Sequence, residues 1–205
     1  MPEKMRDVVR DGYEKGHYDI TYARDGKTPE NLEKALCDEL ISRLNPGSKI
    51  LDLGCGVGLP YDRYFADNGF SVTGVDISEK HIEKARKNVK GARYIVGDFF
   101  SEATKCRYDA IVSFYAIFHI PRTEHRRLLE HMHSLLKKQG LILITLGTDP
   151  MKCDYEEDFA GAKMAWSSYG VSKNKKIVQD SGFEMLLAAE DNRKERHLWI
   201  LAKKK

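Results

Sequence analysis

Three glycines alternate with other residues directly after an apolar run in the segment ILDLGCGVGLP, residues 50–60. A glycine-rich turn after a strand lets the backbone approach a bound ligand closely. The spacing of Gly54, Gly56 and Gly58 is G-x-G-x-G, whereas dinucleotide phosphates are bound by G-x-G-x-x-G. No Lys-Ser or Lys-Thr pair follows the glycines, so the turn is not a nucleoside triphosphate loop. The turn therefore indicates a ligand of another kind.

Three acids at predicted strand ends narrow the choice of ligand. Asp52 stands two positions before the first glycine, where it would repel a pyrophosphate and attract a cationic amino-acid group. Asp76, eighteen residues after Gly58, can accept hydrogen bonds from ribose hydroxyls. Asp98 can accept from an adenine amino group, and Phe99 offers its backbone N–H to the ring. Together they favour S-adenosylmethionine, which carries an ammonium and a sulfonium and no phosphate.

Strands and helices alternate along the chain in a way that would bring these acids together. The predicted strands are residues 49–53, 70–75, 92–96, 108–114, 141–146, 184–189 and 197–202. Helices are predicted from Pro29 to the Asn-Pro-Gly at 45–47 and over residues 61–68, 79–88, 124–138 and 174–181. The pattern predicts one α/β domain over residues 1–205, with a Rossmann-like, seven-stranded, mostly parallel sheet and helices on both faces. Ligands of such sheets bind beyond the carboxyl ends of the strands.

Several motifs resemble those of class I S-adenosylmethionine-dependent methyltransferases of the type that acts on small molecules. ILDLGCGVG, VTGVDIS and YIVGDFF resemble the first three motifs of that family, and YDAIVSFYAIFHI resembles the fourth. The resemblance covers residues 30–147 and implies S-adenosyl-L-methionine as the cofactor. It implies that the methionine moiety is contacted by Asp52, Gly54, Gly56 and Gly58, and the sulfonium side by Ser113. It also implies that Asp76 and Ile77 contact the ribose and the adenine edge, and that Asp98 and Phe99 contact adenine.

The segment SFYAIFHIPRTEH, residues 113–125, is expected to line the acceptor site because it follows the fourth predicted strand. DNA amino-methyltransferases usually carry Asn/Asp-Pro-Pro-Tyr here; Ser-Phe-Tyr-Ala favours a compact organic acceptor. A general base speeds methyl transfer only when the acceptor enters the site protonated. His119 is the predicted base because imidazole titrates near physiological pH. His119 could instead close the pocket without proton transfer. Tyr115 is predicted to contact cofactor or acceptor, or to be an ordinary strand-end aromatic.

The first 28 residues are predicted to form an N-terminal helical lid over the cofactor. Tyr22 is expected at the cofactor, and Tyr13 and Tyr18 at the substrate. Each of these tyrosines could instead lie on the surface.

Residues 148–170 are predicted to be an insertion that caps the substrate, because long segments at the carboxyl ends of strands commonly carry specificity. Met164, Trp166 and Tyr169 would form an apolar, aromatic wall suited to a small acceptor. The same residues could form a small core of their own.

Composition and residue spacing argue against several other classes of function. The net charge of +3, with only short basic clusters, gives no strong nucleic-acid signal. No apolar run reaches 18 residues, so no membrane span is predicted. The four cysteines form no CxxC pair and the histidines lack the spacing of metal ligands, so no metal site is predicted. We expect a cytoplasmic monomer or homodimer whose partner is a small-molecule methyl acceptor.

Three alternatives stay open. The acceptor could be RNA or protein, which would require an open, basic rim. The chain could be a non-catalytic, cofactor-binding partner subunit, which would bind the cofactor without turnover. It could also be another Rossmann enzyme such as a dehydrogenase, although Asp52 and the glycine spacing speak against that.

Overall fold

A seven-stranded sheet with the strand order β3-β2-β1-β4-β5-β9-β8 forms the centre of the protein. A computed structural model describes residues 4–17, 31–101, 107–191 and 196–205. The strands of this sheet are β1 (Lys49–Leu53), β2 (Ser71–Asp76), β3 (Arg93–Val96), β4 (Tyr108–Ser113), β5 (Leu136–Gly147), β8 (Phe183–Glu190) and β9 (His197–Lys204). β1 to β5 are parallel, whereas β9 is antiparallel to both β5 and β8. The predicted Rossmann-like α/β fold is confirmed.

Helices cover both faces of this sheet. They are α2 (Asn31–Ser42), α3 (Tyr61–Asp67), α4 (Glu79–Asn88), α5 (His125–Leu135) and α6 (Val171–Asp180). Successive side chains of a strand point to opposite faces. Leu51 accordingly packs with Leu128 of α5 on one face, while Ile50 packs with Leu40 of α2 on the other. Burial on both faces explains why the central strands are continuous apolar runs.

The first helix and the late insertion form one further unit, which we call the cap. It consists of α1 (Met5–Lys15) and the antiparallel strands β6 (Met151–Phe159) and β7 (Ala162–Ser168). Val8 and Val9 of α1 are buried against Met164 of β7. A Cβ at Gly12 would lie 2.6 Å from the carbonyl oxygen of Lys163, so glycine permits the close approach of helix to strand. The insertion is therefore a β-hairpin attached to the N-terminal helix.

The predicted helix over residues 124–138 is wrong at its carboxyl end. α5 stops at Leu135, and Leu136 already pairs with Tyr108 as the first residue of β5. Gln139 has a φ of +62°, which a helix cannot accommodate. The ammonium of Lys204 donates to carbonyl oxygens at the end of α5, which takes the place of continued helical bonds. Among the described helices, none combines the length and apolar character that crossing a membrane requires.

Candidate active site

A cavity of about 850 Å³ opens at the carboxyl ends of the parallel strands, where the strand order reverses between β1 and β4. Its volume lies within the roughly 300–1,000 Å³ of small-molecule sites. The glycine turn forms one wall, and residues of the cap form another. The predicted site residues that line it are Tyr13, Asp52, Gly54, Gly56, Asp76, Ile77, Asp98, Phe99, Tyr115, His119 and Trp166. These residues therefore lie at the edge of the sheet where its topology places a ligand.

The turn after β1 keeps the backbone open toward the cavity. Gly54 and Gly56 have φ angles of +83° and +53°, in the left-handed region that favours glycine. The N–H of Gly56 donates to Oδ2 of Asp76 at 2.8 Å, while Oδ1 of Asp76 accepts from the N–H of Ser78 at 2.9 Å. The Asp76 carboxylate therefore fixes the turn and the end of β2 together.

Alanine at Gly54 is expected to destabilise the protein far more than alanine at Gly56. A Cβ on Gly54 would lie 2.4 Å from Cβ of Ala116, whereas a Cβ on Gly56 would meet nothing within 4 Å. Both variants bear the cost of a left-handed conformation, about 1–2 kcal/mol, but only Gly54→Ala adds overpacking of roughly 1–3 kcal/mol. Urea unfolding measures both. Equal losses would show that contact with Ala116 does not constrain this turn.

Three carboxyl groups crowd beneath the turn. Asp52 and Asp62 are buried, the two carboxyls lie within hydrogen-bonding reach of each other, and Asp76 is close by. Burial, and then the neighbouring acids, raise the pKa of Asp52 well above its usual value. Burial likewise raises the pKa of Asp62 to about 6, against the opposing influence of the neighbouring Asp52 and Tyr94. No amide, hydroxyl or cationic donor of the described residues reaches Oδ1 of Asp52. The part of the cavity beside Asp52 is therefore suited to a cationic group.

The acid that follows β3, Asp98, is paired with the cap. Oδ2 of Asp98 lies 2.9 Å from a guanidinium nitrogen of Arg6 on α1, and Oδ1 accepts from the N–H of Phe100 at 2.7 Å. Phe99 lies against the turn, since a Cβ at Gly54 would be 3.3 Å from its ring. α1 therefore contacts the region in which a nucleoside would lie.

His119 faces the cavity in a single defined tautomer. Its Nδ1 lies 2.9 Å from the carbonyl oxygen of Ala165, which can only accept, so Nδ1 carries the proton and Nε2 keeps its lone pair. Burial lowers the pKa of His119 to about 4, although the bond to Ala165 opposes that effect. His119 is therefore neutral but weakly basic at physiological pH, and the expectation that it titrates there is wrong.

Tyr115 contributes its ring to the cavity wall, while its polar groups are engaged elsewhere. It has a φ of +55°, its N–H donates to Oγ1 of Thr145 at 2.5 Å, and its hydroxyl donates to Glu33 of α2 at 2.6 Å. Glu33 is buried, so the hydroxyl is held toward α2. Tyr115 is thus placed to shape the pocket through its ring.

Aromatic rings run across the cap side of the cavity. The ring of Tyr13 meets His119 edge-on at 5.5 Å, and Trp166 lies 5.8 Å from His119 and 4.9 Å from Phe159. These centroid distances are those of favourable aromatic pairs. Of the three residues predicted to form this wall, Trp166 lines the cavity, whereas Met164 packs on α1 and Tyr169 lies outside the lining.

Comparison with known proteins identifies the family. Residues 27–188 match the family model described as a methyltransferase domain. The chain belongs to this family. It is the family of class I S-adenosylmethionine-dependent methyltransferases that the motifs predicted, and the prediction is confirmed.

Relatives in this family act on chemically different small molecules. Phosphoethanolamine N-methyltransferase 3 of Arabidopsis thaliana is 32% identical over 155 residues, covering 72% of this chain and 31% of the plant protein. Ubiquinone biosynthesis O-methyltransferase of Rhizobium rhizogenes is 26% identical over 189 residues, covering 89% and 69% of the two chains. The chain spans 31%, 48% and 51% of the first three curated relatives it matches.

The fold agrees closely with a solved methyltransferase. Magnesium protoporphyrin IX methyltransferase of Synechocystis, crystallised with S-adenosylmethionine, superposes with a TM-score of 0.74. The two chains are 20% identical, and the superposition covers 99% of this chain and 98% of the other. At this identity the likeness establishes the shared fold.

Some predicted site residues of this methyltransferase-family chain do not reach the cavity. Gly58 faces Tyr94, whose hydroxyl would lie 2.7 Å from a Cβ at this position, and it is not among the residues that line the cavity, so its contact with the cofactor stays a prediction. The hydroxyl of the buried Ser113 donates to the carbonyl oxygen of Leu53 at 2.6 Å, and Ser113 is not among the residues that line the cavity, so its place beside the sulfonium stays a prediction. Tyr169 lies outside the cavity lining, with Arg122 stacked 5.0 Å over its ring. Tyr18 and Tyr22 lie outside the described residues.

Other functional candidates of this family member were missed from the sequence. Asp62 is an ordinary helix carboxylate by pattern, and its burial follows only from the packing of α3 over the turn. His197 lines the cavity because β9 runs antiparallel to β5 and places its first residue beside Gly147. In the described part of the chain no cluster of three His, Cys, Asp or Glu could hold a metal ion.

Proposed function

We propose that this chain transfers the methyl group of S-adenosyl-L-methionine to an oxygen, nitrogen or sulfur atom of a small molecule. The observation that carries the proposal is a cavity that joins acids at the ends of β1, β2 and β3 to an aromatic wall supplied by the cap. Membership of the methyltransferase family supports the reaction class. Relatives named for phosphoethanolamine and for ubiquinone biosynthesis support a small acceptor.

The acidic half of the cavity fits the cofactor. Asp52 would hold its ammonium, because this residue lines the cavity and its buried Oδ1 lacks a donor among the described residues. Asp76 would accept the ribose hydroxyls, and Ile77 and Phe99 would contact adenine. When bound, the cofactor supplies an electrophilic methyl carbon on a sulfonium. The residues of this chain then have to align the acceptor and exclude water.

The cap half of the cavity fits a small, partly apolar acceptor. Tyr13, Phe118, Phe159 and Trp166 offer ring surfaces, which bind flat or cationic organic molecules well. We propose that α1 and residues 148–170 enclose that acceptor. The outer strand of the cap carries Asp154, Glu156, Glu157 and Asp158, which would repel the phosphates of RNA. The cap therefore favours a small acceptor over RNA.

We also propose a cytoplasmic monomer or homodimer. Cys37, Cys55 and Cys153 are free thiols in the described part of the chain, which supports a reducing compartment.

Titration calorimetry with S-adenosylmethionine and S-adenosylhomocysteine, with NADH as the control, tests the cofactor. We expect both sulfur compounds to bind and NADH not to bind, because Asp52 would repel its pyrophosphate. Binding of NADH alone would overturn the assignment in favour of another Rossmann enzyme.

A labelling experiment then tests the class of acceptor. The protein and S-adenosylmethionine carrying an isotopically labelled methyl group are incubated with a cell extract divided into small-molecule, RNA and protein fractions. Label is expected in the small-molecule fraction. Label in RNA or protein would overturn the acceptor class, and binding without transfer to any fraction would indicate a non-catalytic subunit. Heat-denatured protein controls for spontaneous methylation.

A further inference from the structure

A buried hydrogen-bond acceptor in the cap half of the cavity has no donor within the described part of the chain. His119 is 6% exposed and lines the cavity. Its Nδ1 donates to the carbonyl oxygen of Ala165 at 2.9 Å, so Nε2 carries the lone pair, and no donor of the described residues reaches that nitrogen. Because a buried acceptor without a partner is costly, a bound molecule that offers an N–H or O–H to Nε2 gains affinity.

Aromatic rings lie around this imidazole. The ring centroids of Phe118, Tyr13 and Trp166 are 5.0, 5.5 and 5.8 Å from that of His119. The ring of Phe159 meets Trp166 edge-on at 4.9 Å. All four aromatic residues line the cavity. Since the face of an aromatic ring attracts a positive charge, and does so more strongly where water is excluded, these walls favour a cationic molecule over an anionic one.

Two carboxylates lie at the mouth of the same half of the cavity. Asp149, which follows β5, and Glu156 of β6 are exposed and line the cavity. Glu156 is opposite Met164 in the hairpin, so it lies on the face of the hairpin that packs on α1. The neighbouring Glu157 pairs with Lys163 at 2.9 Å and does not line the cavity. Glu156 and Asp149 therefore give the mouth a negative charge that attracts cations.

The positive charges of the cavity lining do not cancel these carboxylates. The guanidinium of Arg6 lies 2.9 Å from Asp98, in the acidic half of the cavity. Arg196 is exposed just before β9 and lines the cavity, where it opposes the binding of a cation. Glu156 and Asp149 together outweigh this single arginine.

The weak basicity of His119 distinguishes an amine from a hydroxyl. Burial lowers the pKa of His119 to about 4, so at neutral pH its Nε2 accepts a hydrogen bond without taking up the proton. A neutral amine attacks through its lone pair and loses no proton in that step, whereas a hydroxyl becomes a good nucleophile only as its proton leaves. An N–H held on Nε2 would also fix the orientation of the nitrogen lone pair.

We infer that the methyl acceptor is an amine on a small, partly apolar molecule, attracted by Glu156 and oriented by Nε2 of His119. This inference rests on the proposed methyl transfer. An ammonium at the mouth loses one proton to solvent and attacks as the neutral amine. The carbon–nitrogen bond forms as the carbon–sulfur bond breaks, and the electron pair of the broken bond stays on sulfur. The products are S-adenosylhomocysteine and a methylated ammonium, whose charge the rings and carboxylates stabilise.

A binding test compares phenethylamine with phenethyl alcohol, which has the same ring and chain length but no charge. Calorimetry is performed at neutral pH with S-adenosylhomocysteine present, and the amine should bind more tightly. Glu156→Gln should weaken amine binding by about 2- to 5-fold, as expected for a partly exposed ion pair, and leave the alcohol unchanged. Glu157→Gln is the matched control and should change neither ligand, whereas Arg196→Gln should strengthen amine binding.

The outcomes separate this inference from the proposed function. Equal binding of amine and alcohol, binding of the alcohol alone, or equal effects of Glu156→Gln and Glu157→Gln would overturn the inference. Failure of the amine to bind while S-adenosylhomocysteine binds would also overturn it. Failure of S-adenosylhomocysteine to bind would instead count against the proposed cofactor.

Nitrogen-detected NMR tests the contact with His119. In ¹⁵N-labelled protein with S-adenosylhomocysteine bound, adding phenethylamine should shift the Nε2 signal of His119, while Nδ1 stays protonated. An unchanged Nε2 signal with the amine bound would overturn the orienting role of His119.

Amine-selective chemistry tests the inference by turnover. Before the labelling experiment, one portion of the small-molecule fraction is treated with N-hydroxysuccinimidyl acetate, which acylates amines and leaves alcohols intact, and another with iodoacetamide, which alkylates thiols. We expect acylation to remove most of the label and thiol alkylation to leave it. Label that survives acylation would overturn the inference in favour of a hydroxyl, and loss of label in both portions would do so in favour of a thiol. Absence of label in the untreated fraction would count against the proposed function, and the calorimetry then decides on the amine.

Discussion

Replacing Asp52 by asparagine is expected to weaken S-adenosylmethionine binding by roughly 10- to 150-fold, the equivalent of about 1.5–3 kcal/mol for a hydrogen bond to a charged group. Asp52 is buried at the end of β1, and no amide, hydroxyl or cationic donor of the described residues reaches its Oδ1. An ammonium in this corner would supply the missing donor and a compensating charge. Asparagine keeps the shape of the side chain but cannot become the carboxylate that an ammonium would stabilise.

The decisive comparison is with a ligand that lacks the amino-acid part of the cofactor. Calorimetry with 5′-methylthioadenosine should give the same affinity for the wild type and Asp52→Asn, because this ligand has no ammonium. Asp67→Asn, an exposed position on α3, serves as the matched control and should bind both ligands normally. An equal loss of both ligands would mean that the substitution disturbs the turn. Unchanged S-adenosylmethionine binding would place the ammonium elsewhere.

The sheet and the acids along its carboxyl edge could be predicted because local patterns determine them. Apolar runs bounded by turn residues locate the strands, and alternation with helices makes these strands parallel. Parallel strands end at the same edge, so Asp52, Asp76 and Asp98 were correctly expected to line one site. Knowing which residue stands at the end of each strand was sufficient to predict that the three acids lie together.

The direction of individual side chains and the contacts between distant segments could not be predicted from local sequence patterns. β4 ends at Ser113, one residue before its predicted end, and the hydroxyl of Ser113 donates to the carbonyl of Leu53 on the neighbouring strand. The direction of Tyr115 depends on a left-handed backbone conformation, which local pattern does not predict for tyrosine. The place of His197 in the cavity lining follows only from knowing that β9 inserts between β5 and β8. These features depend on tertiary packing.

The cap was predicted as two separate segments because the sequence of neither segment indicates that it packs against the other. β6 is largely exposed and rich in acids, so it lacks the apolar alternation that marks a half-buried strand. α1 buries Met5, Val8 and Val9, which pack on β7 some 150 residues later in the chain. Only the folded protein brings these two stretches together.

Asparagine at Asp62 is expected to stabilise the protein at neutral pH, on the order of 3 kcal/mol in the free energy of unfolding. Burial, despite the opposing influence of the neighbouring Asp52 and Tyr94, raises the pKa of Asp62 from 3.8 to about 6. The folded state therefore holds this proton more tightly than the unfolded state does. Its stabilising contribution is complete below about pH 4 and is lost as the pH rises through 6. Asparagine resembles the protonated carboxyl at every pH, so the variant avoids this loss.

Urea unfolding from pH 4 to pH 8 measures the effect, and Asp109→Asn provides a control of opposite sign. Although burial opposes them, hydrogen bonds from Lys137 and the N–H of Lys49 lower the pKa of Asp109. Asp109 therefore stabilises the fold above its unfolded pKa, and Asp109→Asn should be destabilising at neutral pH. Asp62→Asn should match the wild type near pH 4 and exceed it increasingly toward pH 7. Equal stability of Asp62→Asn and the wild type at pH 7 would mean that the crowded carboxyls already share a compensating group in solution. A cation held beneath the glycine turn would have that effect, and it would also compete with S-adenosylmethionine for Asp52.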